Sequence, residues 1–278
     1  MKAIRLAIVF FCCISFVQCG RFDDDLFEAV TNNDIPSVEH LIKKGVDINK
    51  VDAEGSTPLI LASYLGEKDM VHLLLANKAR VNDKNKFGET ALLLVCTKGY
   101  NDVAELLIHN NADVNAVNGD SVTPLMYCAT YGFVKISEVL LQHHAQVNAV
   151  SRERLTPLVY ACLNNHYELA KLLIDNKADV NYSMRDHETI LMMLCTKGFT
   201  DLARLLIDNG AQVNAKTTYF ATPLMAACRN RHTDMVKLLI ANKADVNARD
   251  ENNETALDHA KRAGDQEIVA LLQQAGGK

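Results

Sequence analysis

Five cysteines stand in the body of the chain, at Cys96, Cys128, Cys162, Cys195 and Cys228. Thiols are the raw material of nucleophiles, metal ligands and disulfides. Four of the five share one phase of a 33-residue step, and Cys128 falls one residue earlier. Ser63 and Ala129 occupy the same phase, so the position takes a small residue rather than a thiol as such. Stacked helices lie about 8–10 Å apart, whereas disulfide partners need Cα atoms within about 7 Å. Equivalent cysteines in adjacent steps are therefore not expected to pair. They read as small buried packing residues, with a redox or metal ladder as the other reading.

The nine histidines form no zinc signature, and His143-His144 is an adjacent pair in a loop. There is no His-Glu-x-x-His, no Gly-x-Ser-x-Gly and no phosphate-binding glycine loop. Carboxylates fall mostly at helix starts, loop tips and tails, where solvated charge is expected, and no acid–base pair stands out. The expectation is a protein that is not an enzyme and carries no cofactor and no metal. The 29 basic and 34 acidic residues give a net charge of −5 with no basic run. Tyr and Phe are not interleaved with basic residues, so neither nucleic acid nor an anionic membrane surface is an expected partner.

A column of like residues needs a repeated element to place it. Thr recurs at 57, 90, 123, 156, 189, 222 and 255, and Asn at 49, 82, 115, 148, 181, 214 and 247, always in steps of 33. Pro follows at Pro58, Pro124, Pro157 and Pro223. Thr at an N-cap accepts an orphan backbone N–H, and Pro at the first helical position loses no bond. Each unit then reads as a short apolar helix, a break near Gly66, Gly99, Gly132, Gly198 or Gly264, and a second helix with paired apolar residues such as Leu106-Leu107. Acids open that second helix at Asp69, Asp102, Glu168, Asp201, Asp234 and Glu267, where they favour the helix dipole; Lys135 is the exception and Pro36 the first-unit variant. The unit closes on a tail like Ala112-Asp113-Val114-Asn115. Two helices of this size cannot bury both faces alone, so units must stack.

Period and motif together resemble the ankyrin repeat over about residues 21–278. The resemblance implies an all-α ankyrin-repeat solenoid of about eight repeats: an N-terminal cap at 21–52, six internal repeats at 53–250 and a C-terminal cap at 251–278. His40 and Gln273 replace apolar residues of the internal repeats, as capping units require. The family's His after Thr-Pro-Leu is missing; Ile60, Leu93, Met126, Val159, Met192, Met225 and Asp258 stand there. The family's Gly after the second helix, where the backbone turns left-handed, survives at Gly45, Gly210 and Gly276. Lys78, Asn111, His144, Lys177 and Lys243 replace it elsewhere. At the hairpin turn Gly persists at Gly55 and Gly88, with Asn253 a reasonable substitute and Ser121, Arg154, His187 and Phe220 poorer ones.

The family binds partner proteins through a concave face of hairpin tips and first helices. The positions here that match are Glu54, Tyr64, Leu65, Lys86, Phe87, Lys98, Tyr131, Leu155, Asn164, Lys197, Tyr219 and Arg229, with Asp120, Arg152, Leu163, Arg185, Asn230 and Arg262 among them. Tyr64, Phe87, Tyr131 and Tyr219 form an aromatic series of the kind enriched at interface hot spots. The other reading is packing between fingers. The expected partner is another protein, and the chain is expected to be a monomer.

Residues 1–19 read as an export segment. Lys2 and Arg5 precede an apolar stretch, Leu6 to Val17, of 12 residues interrupted only by Ser15. That suits a signal peptide better than a bilayer span. Cleavage before Gly20 would leave 27 basic and 34 acidic residues, a net charge of −7. Phe16-Val17-Gln18-Cys19 also resembles a lipoprotein box, in which Cys19 would be lipidated; an uncleaved anchor is the third reading. The functional expectation is an exported interaction scaffold, periplasmic, secreted or lipid-anchored. The alternative is an inhibitor or immunity-like protein that occludes one enzyme.

Overall fold

The Thr column does what an N-cap should. Thr57, Thr90, Thr123, Thr156, Thr189, Thr222 and Thr255 accept the backbone N–H three residues on at 3.3–3.4 Å. Each is buried and extended, and each starts a helix of seven or eight residues. The computed structural model describes residues 23–278, and the export segment with Cys19 lies outside them. Sixteen α-helices follow one another in eight pairs: α1 Asp23–Thr31, α2 Ile35–Lys43, α3 Pro58–Leu65, α4 Lys68–Ala76, α5 Ala91–Lys98, α6 Asn101–His109, α7 Pro124–Tyr131 and α8 Val134–Gln142. The second half holds α9 Pro157–Leu163, α10 Tyr167–Asp175, α11 Ile190–Lys197, α12 Thr200–Asp208, α13 Pro223–Arg229, α14 Thr233–Ala241, α15 Ala256–Ala263 and α16 Gln266–Gln274. Among the described residues there is no sheet, only an isolated bridge between Ser183 and Thr189. No helix among them is long and apolar enough to cross a membrane.

Odd-numbered helices pack against odd and even against even, so the chain is a two-layer solenoid. The core runs unbroken between the layers, with fully buried Leu59, Leu92, Leu125 and Leu158 on the inner layer and Leu74, Leu107 and Leu140 on the outer. No unit could close this core alone. The five body cysteines are free and buried within it. Burial pushes the thiols of Cys162 and Cys228 up to about 12, and it raises Cys96 and Cys195 as well. A thiol held protonated in the core is packing material, not a nucleophile.

The second helices of the inner units lack a side-chain cap, and in five of the six an aromatic or histidine ring stands at the N-cap position. The rings are those of Tyr100, Phe133, His166, Phe199 and His232. Four of these rings lie flat against the left-handed glycine that ends the first helix of the preceding unit. A Cβ on Gly99 would stand 2.7 Å from Phe133, and one on Gly132 2.7 Å from His166. The imidazole Nε2 atoms of His166 and His232 also sit 3.1 and 3.2 Å from the carbonyls of Thr130 and Thr196. The acids in the first turn, such as Asp102 and Glu168, stand in for the missing cap by facing the helix dipole.

The Asn column joins tail to tail. The Oδ1 of Asn49, Asn82, Asn115, Asn148, Asn181, Asn214 and Asn247 each accepts the backbone N–H 31 residues ahead, at 2.8–2.9 Å. From Asn82 onward the Nδ2 donates to the carbonyl 29 residues ahead, at 3.1–3.3 Å. That carbonyl belongs to the residue with the left-handed backbone: Asn111, His144, Lys177, Gly210, Lys243 or Gly276. All six have positive φ, from 63 to 89°. The strained turn is retained at lysine and histidine because it aims a carbonyl at the neighbour's amide.

A candidate partner-binding surface

Five of the seven hairpin tips are built on their first residue through two side-chain bonds. The Oδ1 of Asp52, Asn85, Asn118 and Asp250 accepts the N–H groups two and four residues on, at 2.8–3.0 Å. Thr217 does the same through Oγ1 at 3.2 Å. Met184 cannot, and there the chain forms a single 3-10 turn over Arg185–His187. The fourth tip residue is left-handed throughout, including Ser121, Arg154, His187 and Phe220 with φ of 57–63°. The poor turn formers thus adopt the glycine geometry at a local cost of about 1 kcal/mol each.

Neighbouring tips are tied backbone to backbone. Lys86 N–H donates to the Glu54 carbonyl, Gly119 to Phe87, Arg152 to Asp120, Thr218 to Asp186 and Glu251 to Tyr219, at 2.9–3.1 Å. Among the described residues, Arg185 N–H makes no such bond to Glu153. These bonds spend no side chain, so Glu54, Phe87, Asp186 and Tyr219 project from the ladder, while Asp120 also pairs with Arg152 of the next tip.

Of the residues expected on this face, Glu54, Lys86, Phe87, Lys98, Asn164, Lys197, Tyr219 and Arg229 are exposed, as are Tyr64 and Tyr131. Phe87 is 49% and Tyr219 52% exposed, high for aromatic side chains. Leu65 is half-buried. Leu155 does not belong to the surface: it is 9% exposed and joins the core. It is the last residue of its tip, immediately before the capping Thr156, where the chain has already turned back onto the first helix.

Two further contacts organise the inner-helix part. The Lys98 ammonium lies 4.6 Å from the centre of the Tyr64 ring, a cation–π contact across adjacent units. Tyr131 stacks with Phe133 at 5.9 Å. The most exposed large apolar side chain, Phe220 at 54%, escaped the sequence reading of the surface, although its place beside Tyr219 at the same tip was a usable signal. Phe87 and the Tyr219-Phe220 pair therefore stand on tips four repeats apart, with charged tips between them.

One cluster has the composition of a metal site, Asp250, Glu254 and His259 in the last unit. Its carboxylates and His259 Nε2 are engaged with one another and with their neighbours, and His259 Nδ1 is buried without a hydrogen-bond partner among the described residues. His259 Nε2 lies 2.9 Å from Asp250 Oδ2, Asp250 Oδ1 holds the tip, and Glu254 is paired with Arg262. It occupies the place of the Tyr127–Asn118 and Tyr160–Ser151 contacts in earlier units, at 2.9 and 3.3 Å, which marks it as a tip-to-helix brace. Two carboxyls at the tip bases, Glu89 and Glu188, are held above the usual carboxylate range, chiefly by burial. Asp186 adds to the rise at Glu188 and Arg229 opposes it.

A family model for ankyrin repeats (3 copies) matches residues 26–118, 116–184 and 191–278. Among curated proteins, the human transient receptor potential cation channel subfamily A member 1 is 47% identical over 47 residues. That is 17% of this chain and 4% of the channel subunit. The ankyrin repeat domain-containing protein 13C-A of Xenopus laevis is 40% identical over 76 residues, 26% of this chain and 15% of that protein. The chain thus spans only a small part of the relatives it matches.

Proposed function

The chain belongs to the ankyrin-repeat family, and from that premise we propose that it is a protein-interaction scaffold of an exported compartment, binding its partner through the tips and the exposed ends of the first helices. One observation carries the reading: each joined tip is held to its neighbour by a main-chain hydrogen bond that does not depend on residue type, and Phe87 and Tyr219 stand exposed beside it. Exposed Phe87, Tyr131 and Tyr219 supply the large, rigid anchors that dominate interface energetics. A protein-binding role is typical of the family. Binding through this face is a reading from the geometry, and a single chain as the working unit is an expectation from the sequence. Export rests on Lys2, Arg5 and the apolar run Leu6 to Val17, with Cys19 as the cleavage or lipidation point.

The test is affinity capture from the exported fraction with the native chain and with Phe87→Ala combined with Tyr131→Ala. Both side chains are exposed, so helical content should be unchanged while partner recovery falls by about tenfold or more. Unchanged recovery would move the site off this face. Mass spectrometry of the mature N-terminus decides between a free end at Gly20 and a lipidated Cys19; retention of Met1 would overturn export by either route.

A further inference from the structure

The first helices of the internal units expose little. In α3, α5, α7, α11 and α13 one residue in the last turn is exposed, giving Tyr64, Lys98, Tyr131, Lys197 and Arg229; in α9 the place falls to Asn164, just past the helix end. This row is the floor between the tips. Its charge runs against that of the molecule. From α3 to α15 the inner helices carry five cations and one carboxylate, Asp258, which is tied into the Thr255 cap. From α4 to α16 the outer helices carry ten carboxylates and five cations. A chain of net charge −5 has therefore gathered its inner-layer charge on one face with a positive sign.

Among the described residues, Lys98 and Lys197 have no carboxylate within 4.0 Å and instead stand over aromatic rings, Tyr64 at 4.6 Å and Phe199 at 5.6 Å. On the outer layer, by contrast, Lys68, Lys135 and Lys237 each reach a carboxylate of the adjoining unit. The tips above the floor are mixed, with Arg152 paired to Asp120 at 3.3 Å, so they contribute register rather than a net field.

We propose that the floor takes an extended acidic segment of the partner protein, a proposal that rests on the concave-face reading above. Its carboxylates would sit at Lys98 and at Lys197 with Arg229, and an apolar or aromatic residue between them would lie over Tyr131. Three repeat steps of about 10 Å separate Lys98 from Lys197, roughly 30 Å in all. A strand rising about 3.3 Å per residue spans that in about nine residues. A peptide fits better than a nucleic-acid strand. The cations are few and far apart, and carboxylates at Glu54, Asp120, Glu153 and Asp186 on the rim would repel a continuous phosphate backbone.

The experiment is selection of a random peptide library of roughly 12 residues, long enough for that span, on the full chain. Selected peptides are then titrated against three proteins: wild type, Lys98→Glu with Lys197→Glu, and the outer-layer control Lys171→Glu with Arg204→Glu. The expected result is enrichment of Asp and Glu, with affinity about tenfold or more weaker on the floor variant, unchanged on the control and falling with added salt. All four substituted residues are exposed, and circular dichroism confirms folding. Neutral or basic peptides that still depend on the floor would overturn the acidic partner and leave the concave-face reading standing. Peptides sensitive only to the outer-layer control would overturn both. A selection yielding no floor-dependent peptide, or oligothymidine binding the floor more tightly than the peptides, would also overturn the proposal.

Discussion

Each repeat is fastened to the next along two edges that work differently. At the tail edge an asparagine side chain reaches across, accepting one N–H and donating to one carbonyl, in step after step. At the tip edge the recurring bond runs from main chain to main chain, and side chains such as Lys86 and Arg152 add to it at single junctions. The first kind of joint works only with one residue type, and that type recurs without exception at seven positions. The second does not depend on the side chain, and its carbonyl comes from carboxylate residues at Glu54, Asp120 and Asp186 and from aromatic ones at Phe87 and Tyr219. Constancy and freedom in this chain follow from which atoms carry the joint. The free edge is the one available for recognition.

The sharpest way to break the contrast is to remove one asparagine. Asn148→Ala deletes the acceptor for Asp179 N–H and the donor to the Lys177 carbonyl. Two net hydrogen bonds suggest a loss of about 2 kcal/mol, read as a lower urea midpoint. A change no larger than that of Phe87→Ala, expected to stay within about 0.5 kcal/mol, would erase the distinction between the edges. Next in size are the left-handed turns. Lys177→Gly at the tail and Arg154→Gly at the tip should each gain up to about 1 kcal/mol, since Lys177 has φ of 70° and Arg154 of 63°. Lower melting temperatures for both would mean that the side chains do more than the backbone geometry implies.

The smallest effect concerns the tip base at Glu188. Burial raises its folded-state pKa above the unfolded value of about 4.3. Its favourable contribution is therefore complete below that value and disappears as pH rises through the folded pKa. Glu188→Gln should be more stable than wild type near neutral pH, by about 0.3 kcal/mol after allowance for solvent screening, and should lose that advantage near pH ~4. Denaturation at the two pH values reads the difference; an advantage that grows on acidification would reverse the assignment.

The fold was open to sequence reasoning because its determinants are local and repeated. Thr at the cap, Pro behind it and paired apolar residues 33 apart specify helices without reference to neighbours. The left-handed tail turn at Lys78, Lys177 and Lys243 was legible for the same reason, by register with Gly45 and Gly210. What joins the units was not. The Asn column was visible, but that its amide meets a carbonyl 29 residues on depends on how two units stack. The rings of Tyr100 and Phe133 follow the glycines of their own units in sequence yet cover those of the units before. Leu155 misled because its equivalents are as different as Ser56, Glu89 and Val122. A position with no consistent polarity gives no sign of which way it faces.

The gap in the tip ladder between Glu153 and Arg185 has a mechanical meaning. Among the described residues, the other junctions after the first two units carry both a tip bond and a tail bond; there, the tail bonds of Asn181 and the helix contacts hold, and α9 and α11 pack less extensively than any other inner pair. Pulled from its two ends, the rod would part between its fifth and sixth units, with each fragment still laced within itself.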